Sequence, residues 1–332
     1  MRVSVTKTIV GGLALLGMLV MLVSGQAAQR LQAYPSREVQ IVVPNEPGGG
    51  LDLVARQLAK DLSSRLGQAF IVINRSGASG NIGTSSVARA KPDGYTVLLT
   101  GVGHLASPLL HERAGYEPLK DFQPIAKIAN APNVLLVHVS IKHLSLTQLR
   151  ANPRSQSGEL PFASAGYGSS SHLSAEIFME RTGARWLHVP FRGTGPATKA
   201  LISGEVLAMF VPAGSVQALL ATGRVHAVAV TATRRLDTLA TIATLAELGV
   251  NGAEFFQWYG VFAPVGTPAP IADALQNAVL GFASEPEGTR LLRALGLDAA
   301  PMASALFTEF LDHQSVMLTK LVKQLSPERV TK

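Results

Sequence analysis

The 332-residue chain contains no cysteine. This excludes disulfides, thiolate metal sites and a lipid attached to a cysteine at an export-signal cleavage site. Dense basic faces are missing as well. The formal charge is +7, yet Lys and Arg occur singly or in pairs such as Arg234-Arg235, without the aromatic interleaving of a nucleic-acid surface. No nucleic-acid partner is expected, and a mild pull on anions is all that this charge supports. Past residue 27 no apolar run is long enough to span a bilayer, since stretches such as Val134 to Val139 have the length of a strand. The sequence also lacks a Gly-x-Ser-x-Gly elbow, a His-Glu-x-x-His zinc motif and a Gly-x-x-x-x-Gly-Lys phosphate loop. An exported hydrolase therefore has little to stand on, and neither cofactor nor metal is expected. Ser169 to Ser171 beside His172 imitate a nucleophile and base, but adjacent residues at a helix start point in different directions.

What is present is ample apolar material. At 47% hydrophobic content and this length, the chain can build two α/β domains, each with its own core. Residues 1–27 have the form of a cleaved export signal: Arg2 and Lys7, the apolar stretch Ile9 to Val23, then the small residues Gly25 to Ala27 around a cleavage site. The mature protein is expected to be soluble and periplasmic.

Strand-like runs alternate with helical patterns, the order of α/β layers with mainly parallel strands. Strands are expected at Val39 to Val43, Phe70 to Ile73, Tyr95 to Leu99 and Val134 to Val139, with helices over Leu51 to Leu66 and Ile82 to Ala90. The composition then restarts. A helix from Ser145, a loop from Ala151 to Glu159, and strands at Leu160 to Ala163, Arg185 to Val189, Leu207 to Val211 and Ala227 to Thr231 form a second set, with helices from about Ser170, near Gly195 to Ser203 and near Val216 to Thr222. After a strand at Phe255 to Phe262, three helices remain, at Pro270 to Ala283, Pro286 to Leu295 and Ser304 to Leu325. Three helices cannot make an α/β domain alone, so they are expected to return to the first lobe. The division is lobe one at residues 34–133 plus 252–332 and lobe two at 134–251, with the chain crossing twice.

Two strand-to-helix junctions carry the chemistry. In the first, an apolar strand ends at Pro44 and Pro47, three glycines follow at Gly48 to Gly50, and Leu51, Val54, Leu58, Leu62 and Leu66 then recur at helical spacing up to Gly67. Glycine amides in front of a helix dipole suit an anion, and they suit a tight turn equally well. The second junction, Phe162 to Leu173, has small and hydroxyl residues after a strand and His172 in the first helical turn. Its serines serve as helix caps or as ligand donors. Thr100-Gly-Val-Gly-His104 opens at another strand's carboxyl end, the edge where ligands collect in open α/β sheets.

The chain resembles the extracytoplasmic substrate-binding receptors of tripartite tricarboxylate transporters, often called Bug receptors. The resemblance runs from about Tyr34 to Ser326 and rests on an ordered series of motifs. These are Tyr34-Pro35, Val43-Pro44 with Pro47-Gly-Gly-Gly and Asp52, Asn74-Arg75 with Gly77 and Gly80-Asn-Ile-Gly83, Pro92-Asp-Gly-Tyr95, Leu119-Lys-Asp-Phe122, Gly168-Ser-Ser-Ser-His172, His188-Val-Pro-Phe-Arg-Gly193, and Trp258-Tyr-Gly260 before Ala263-Pro264. It implies a two-lobed periplasmic binding protein of the second type, an α/β fold with two hinge-crossing strands. It further implies a binding role without catalysis, in which main-chain amides and ordered waters hold a ligand carboxylate. Carried onto this sequence, the contacts are Gly48, Gly49, Gly50, Leu51 and Asp52 in lobe one, and Ser164, Ala165, Gly168, Ser169, Ser170 and His172 in lobe two. Asp52 also suits a helix start, and His172 suits capping. Asn74-Arg75, Gly80 to Gly83 and His188 fit loop architecture.

Three positions depart from the family pattern. Asn45 and Glu46 stand where an aromatic or apolar residue and a proline are usual, which sets a carboxylate beside the anion loop. Val211-Pro212 follows Phe210 where an acidic residue is common, and His104 replaces a small polar residue. Asn45, Thr100 and His104 join the candidate ligand contacts on these grounds. The implied partners are a small carboxylate-bearing metabolite and the membrane subunits of a tripartite tricarboxylate transporter, with the receptor a monomer. The alternative is a sensor docking on a membrane histidine kinase.

Overall fold

The computed structural model describes residues 34–111, 113–151 and 159–324. The expected export signal, and most of the expected loop from Ala151 to Glu159, lie outside the described residues. Lobe one begins with β1 (Val39–Val43), α1 (Gly50–Leu66), β2 (Phe70–Asn74), α2 (Asn81–Ala88), β3 (Thr96–Thr100) and α3 (Gly103–Leu110). β1 lies between β2 and β3, parallel to both. Its unbroken apolar run follows from burial on both faces: Val39, Ile41 and Val43 face one core cluster and Val42 the other. Each such side chain contributes about 1.5–3 kcal/mol relative to exposure. α1 buries Val54, Leu58 and Leu62 and ends at Gly67, whose φ of +71° is the left-handed cap that the spacing predicts.

β4 (Phe122–His138) carries the chain into lobe two as one 17-residue strand. Its second half matches the strand expected from Val134, whereas its first half was not expected, because Pro124, Lys127, Asn130 and Pro132 interrupt the apolar pattern. Register shifts between Pro124 and Ala126 and between Lys127 and Ala129 absorb part of that irregularity. Lobe two adds α4 (Leu146–Arg150), β5 (Leu160–Ser164), α5 (Ser170–Thr182), β6 (Trp186–Pro190), α6 (Thr194–Ser203), β7 (Ala208–Pro212), α7 (Val216–Leu220) and β8 (Val225–Val230). The serine before α4 builds a reciprocal cap with Gln148. The chain returns through β9 (Phe256–Pro264), which lies antiparallel between β3 and β4. α8 (Ala269–Ser284), α9 (Pro286–Ala294), β10 (Asp298–Ala303) and α10 (Ser304–Gln324) complete the described chain.

Of the late helices, α8 packs on α1 and β4, α9 on α8, and α10 on α3 and β4. β10, missed in the sequence, pairs antiparallel with the first half of β4 across a bulge. Its alanines and Pro301 give no β-branched signal, and an irregular edge tolerates proline.

The strand order β2-β1-β3-β9-β4-β7-β5-β6 makes one continuous two-lobed sheet through the hinge. β4 exchanges partners there, pairing Pro132 with Phe256 of β9 and Asn133 with Pro212 of β7. The return strand enters at the same level, since the Phe255 amide donates to Thr231 O at 3.1 Å. In consequence both sheets turn the carboxyl ends of their parallel strands toward the hinge: Thr100 pairs with Gly260 in lobe one, and Pro212 with Asn133 in lobe two.

Candidate ligand-binding cleft

The loop between β1 and α1 is exposed from Asn45 to Gly50. Gly48 turns the chain at φ +83°, a value that an L side chain rarely adopts. Gly49 is the N-cap residue of α1, and no side chain caps the helix, so its first amides are open at the positive end of the dipole. Asp52 works from below. It is 2% exposed, and its carboxylate accepts the Gly48 amide at 2.9 Å, Arg56 Nε at 2.9 Å and Asn74 Nδ2 at 2.9 Å. Burial pushes the Asp52 carboxyl up, but the hydrogen bonds from Arg56, Gly48 and Asn74 outweigh it and hold the group below the ordinary carboxylate range. Asn74 Nδ2 also donates to Asn45 O at 3.2 Å. Asp52 thus shapes the loop and, being enclosed, offers no oxygen to the cleft. Leu51 is buried at 6% exposure, so only its backbone can face a ligand.

Glu46 is exposed and accepts the Ser76 hydroxyl at 2.5 Å. Its carboxylate is tied to the neighbouring rim loop, which explains how an acid is accommodated beside the glycines.

The loop between β5 and α5 is built differently. Ser169 caps α5 by accepting the His172 amide at 3.3 Å, Ser171 Oγ accepts the Ala165 amide at 2.9 Å, and Ser164 Oγ accepts the Gly166 amide at 3.1 Å. His172, 1% exposed, accepts the Gly168 amide on Nδ1 at 3.2 Å, and its Nε2 stands 3.5 Å from Glu176 Oε1. Its ring stacks on His188 at 4.4 Å, and His188 Nε2 lies 2.6 Å from Ser164 Oγ. Ser164 is fully buried and Gly168 is buried, while Ala165, Ser169 and Ser170 are half-buried. His172 and Ser164 are therefore framework residues of this loop. Gly168 (φ +73°) also touches the opposite lobe, since a Cβ there would lie 2.8 Å from Leu110 Cδ1 of α3. The lobes meet again beside the hinge, where a Cβ on Gly214 would stand 2.0 Å from Leu295 O, and Arg234 reaches Asp298 at 3.2 Å.

His104 does not reach the cleft. Gly101 to Gly103 lead into α3 instead of an open loop, and the His104 ring is enclosed by Tyr116, Phe122 and Phe262 at 5.5, 4.8 and 4.6 Å. Burial lowers its pKa to about 3, so the ring is neutral and forms part of an aromatic core. Thr100 is likewise buried, at 4% exposure. Val211 is fully buried in the sheet opposite Val134.

Two residues of β9 beside these junctions were not singled out in the sequence. Gln257 Oε1 accepts the Val102 amide at 3.3 Å, and its Nε2 crowds Gly101. Tyr259 reaches beneath the start of α1, its hydroxyl 3.0 Å from where a Cβ on Gly50 would lie. Trp258-Tyr-Gly260 was visible as a motif, but only the pairing of β9 with β3 brings it to this edge. Among the described residues no cluster of three or more His, Asp or Glu side chains could hold a metal ion.

Comparison with known proteins matches this arrangement. Residues 54–326 match the family described as tripartite tricarboxylate transporter family receptor. BugT of Bordetella pertussis is 35% identical over 272 residues, covering 80% of this chain and 82% of that protein. Among solved structures, Rpa4515 of R. palustris with adipate is 35% identical, with a TM-score of 0.81 over 87% of this chain and 97% of that one. MatC of Rhodopseudomonas palustris with bound malate is 30% identical, with a TM-score of 0.78 over 87% and 100%. The periplasmic binding protein BugD is 32% identical, with a TM-score of 0.79 over 88% and 98%. The chain belongs to the tripartite tricarboxylate transporter receptor family, a family of periplasmic solute-binding receptors and not of enzymes.

Proposed function

We propose that this receptor captures one end of a small dicarboxylate at the junction of its lobes and delivers it to the membrane subunits of a tripartite tricarboxylate transporter. The observation that carries the reading is the uncapped start of α1, with Gly48 to Gly50 exposed above a helix dipole and Asp52 holding the turn. The amides of Gly49, Gly50 and Leu51 are the carboxylate donors, and Ser170 with the Ala165 to Ser169 backbone closes over the ligand from lobe two. Adipate in one relative and malate in another support the ligand class. Residues 34–133 with 252–332 and residues 134–251 close as two bodies, excluding water and strengthening charge-assisted hydrogen bonds. In this reading residues 1–27 are removed near Ala27 and the receptor works as a periplasmic monomer.

A thermal-shift screen of mono-, di- and tricarboxylates, amino acids and aromatic acids tests it. Ligand at a hundred times its Kd adds about 2.7 kcal/mol to stability by mass action. The expected result is a rise in Tm with one or more saturated dicarboxylates. A response confined to amino acids or neutral compounds would overturn the reading.

A further inference from the structure

Tyr259 is a buried phenol in an unusual position. The residue is 3% exposed, and its hydroxyl, which has no hydrogen-bond partner among the described residues, is not among the fully enclosed polar atoms and so keeps contact with solvent. Its ring belongs to the core cluster beneath α1, together with Val43, Leu51 and Val261, so packing fixes where the hydroxyl points. That place is the glycine loop: outside its chain neighbours and its own helix backbone, the atom that a Cβ on Gly50 would meet is Tyr259 Oη, at 3.0 Å. An uncapped helix start and a phenol hydroxyl without a protein partner thus share one small region at the carboxyl edge of the sheet.

Resting on the carboxylate-receptor reading above, we propose that Tyr259 is a specificity-determining residue of this site, donating its hydroxyl proton to a ligand carboxylate oxygen held by the amides of Gly49 and Gly50. Burial pushes the phenol above its ordinary range, so the group stays a neutral donor throughout the physiological pH span. A neutral donor fixed beside amide donors favours a ligand end that only accepts. The amides there only donate and so disfavour an ammonium group, while the hydroxyl adds a donor that a carboxylate oxygen can accept. Gly50 is part of the same device, since any larger residue brings a Cβ against the hydroxyl.

Calorimetric titration with the saturated dicarboxylates from malonate to adipate tests the assignment on wild type, Tyr259→Phe, Gly50→Ala and the double variant. Phenylalanine keeps the ring and removes a hydroxyl with no protein partner, so the apo Tm should hold or rise. The expected result is a loss of affinity of about tenfold or more in Tyr259→Phe for the best wild-type ligand, in line with a hydrogen bond to a charged group. Gly50→Ala should weaken binding by displacing the hydroxyl, and its effect should shrink in the Tyr259→Phe background. Wild-type binding with undiminished affinity in Tyr259→Phe would overturn the role of Tyr259 and leave the receptor reading standing. Failure of wild type to bind any member of the series would overturn both.

Discussion

The two loops at the lobe junction look alike in sequence, each a strand, a run of small residues and a helix start, yet they are built on opposite principles. In lobe one the helix begins without a side-chain cap, and of the loop's amides Asp52 takes up that of Gly48 while it also holds Arg56 and Asn74. In lobe two the serines and His172 take up the amides of Ala165, Gly166, Gly168 and His172 itself. The first loop leaves its helix-start amides without a side-chain acceptor, while the second spends its amides on its own shape and sets Gly168 against Leu110. A receptor that must close on a ligand needs both: a site with open donors, and a rigid surface to seal it.

The difference is sharpest where each loop is broken. His172→Ala should cost about 2–4 kcal/mol in chemical denaturation, because it opens a buried space and strips the Gly168 amide of its acceptor. His172→Asn, which keeps an acceptor, should recover part of that loss. Gly49→Val should do the reverse. Gly49 has an extended backbone (φ −77°, ψ 166°), and a Cβ there meets only Glu46 O at 3.8 Å, so stability should change by less than about 1 kcal/mol. Its side chain would cover the open amides, and dicarboxylate affinity should fall by about tenfold or more, equivalent to about 1.4 kcal/mol. If Gly49→Val unfolds the protein while His172→Ala leaves stability intact, the contrast between the loops is wrong.

The pH dependence separates the loops further. The Asp52 carboxyl is held below its unfolded value, so its contribution is whole above that value, about 3.9, and is lost as pH falls through the lower folded value. Acidification should therefore loosen loop one and weaken ligand binding together. Asp52→Asn should show the weaker binding already at pH 7 and flatten the profile. The smallest effect belongs to Glu46. It sits at the exposed rim on Ser76, and Glu46→Gln should tighten dianion binding by a few tenths of a kcal/mol, less at high salt.

Much of this architecture was legible because its signals are local. The double-sided burial of β1 writes itself as a continuous apolar run, and α1 as a 3.6-residue repeat closed by Gly67. The residues that failed to read correctly depend on distant chain. His104 looked like a cleft residue because it follows a strand's carboxyl end, but Tyr116, Phe122 and Phe262 close around it only in the fold. Tyr259 could not be placed because its position depends on β9 pairing with β3 after an excursion through the whole of lobe two. β10 was invisible for a simpler reason: its alanines and proline carry no strand propensity, and the edge of β4 supplies the order. Asp52 and the second loop's serines were seen, but their spacing alone could not say whether they serve the ligand or the loop.

The most direct measurement is an amide-resolved NMR titration with adipate, or with whichever dicarboxylate gives the largest thermal shift. The Gly49, Gly50 and Leu51 amide protons should move downfield on saturation, while those of Ala165 and Gly168, already hydrogen-bonded within their loop, should move far less. Saturation that leaves Gly49 and Gly50 unmoved and shifts only the lobe-two amides would contradict this contrast between the loops.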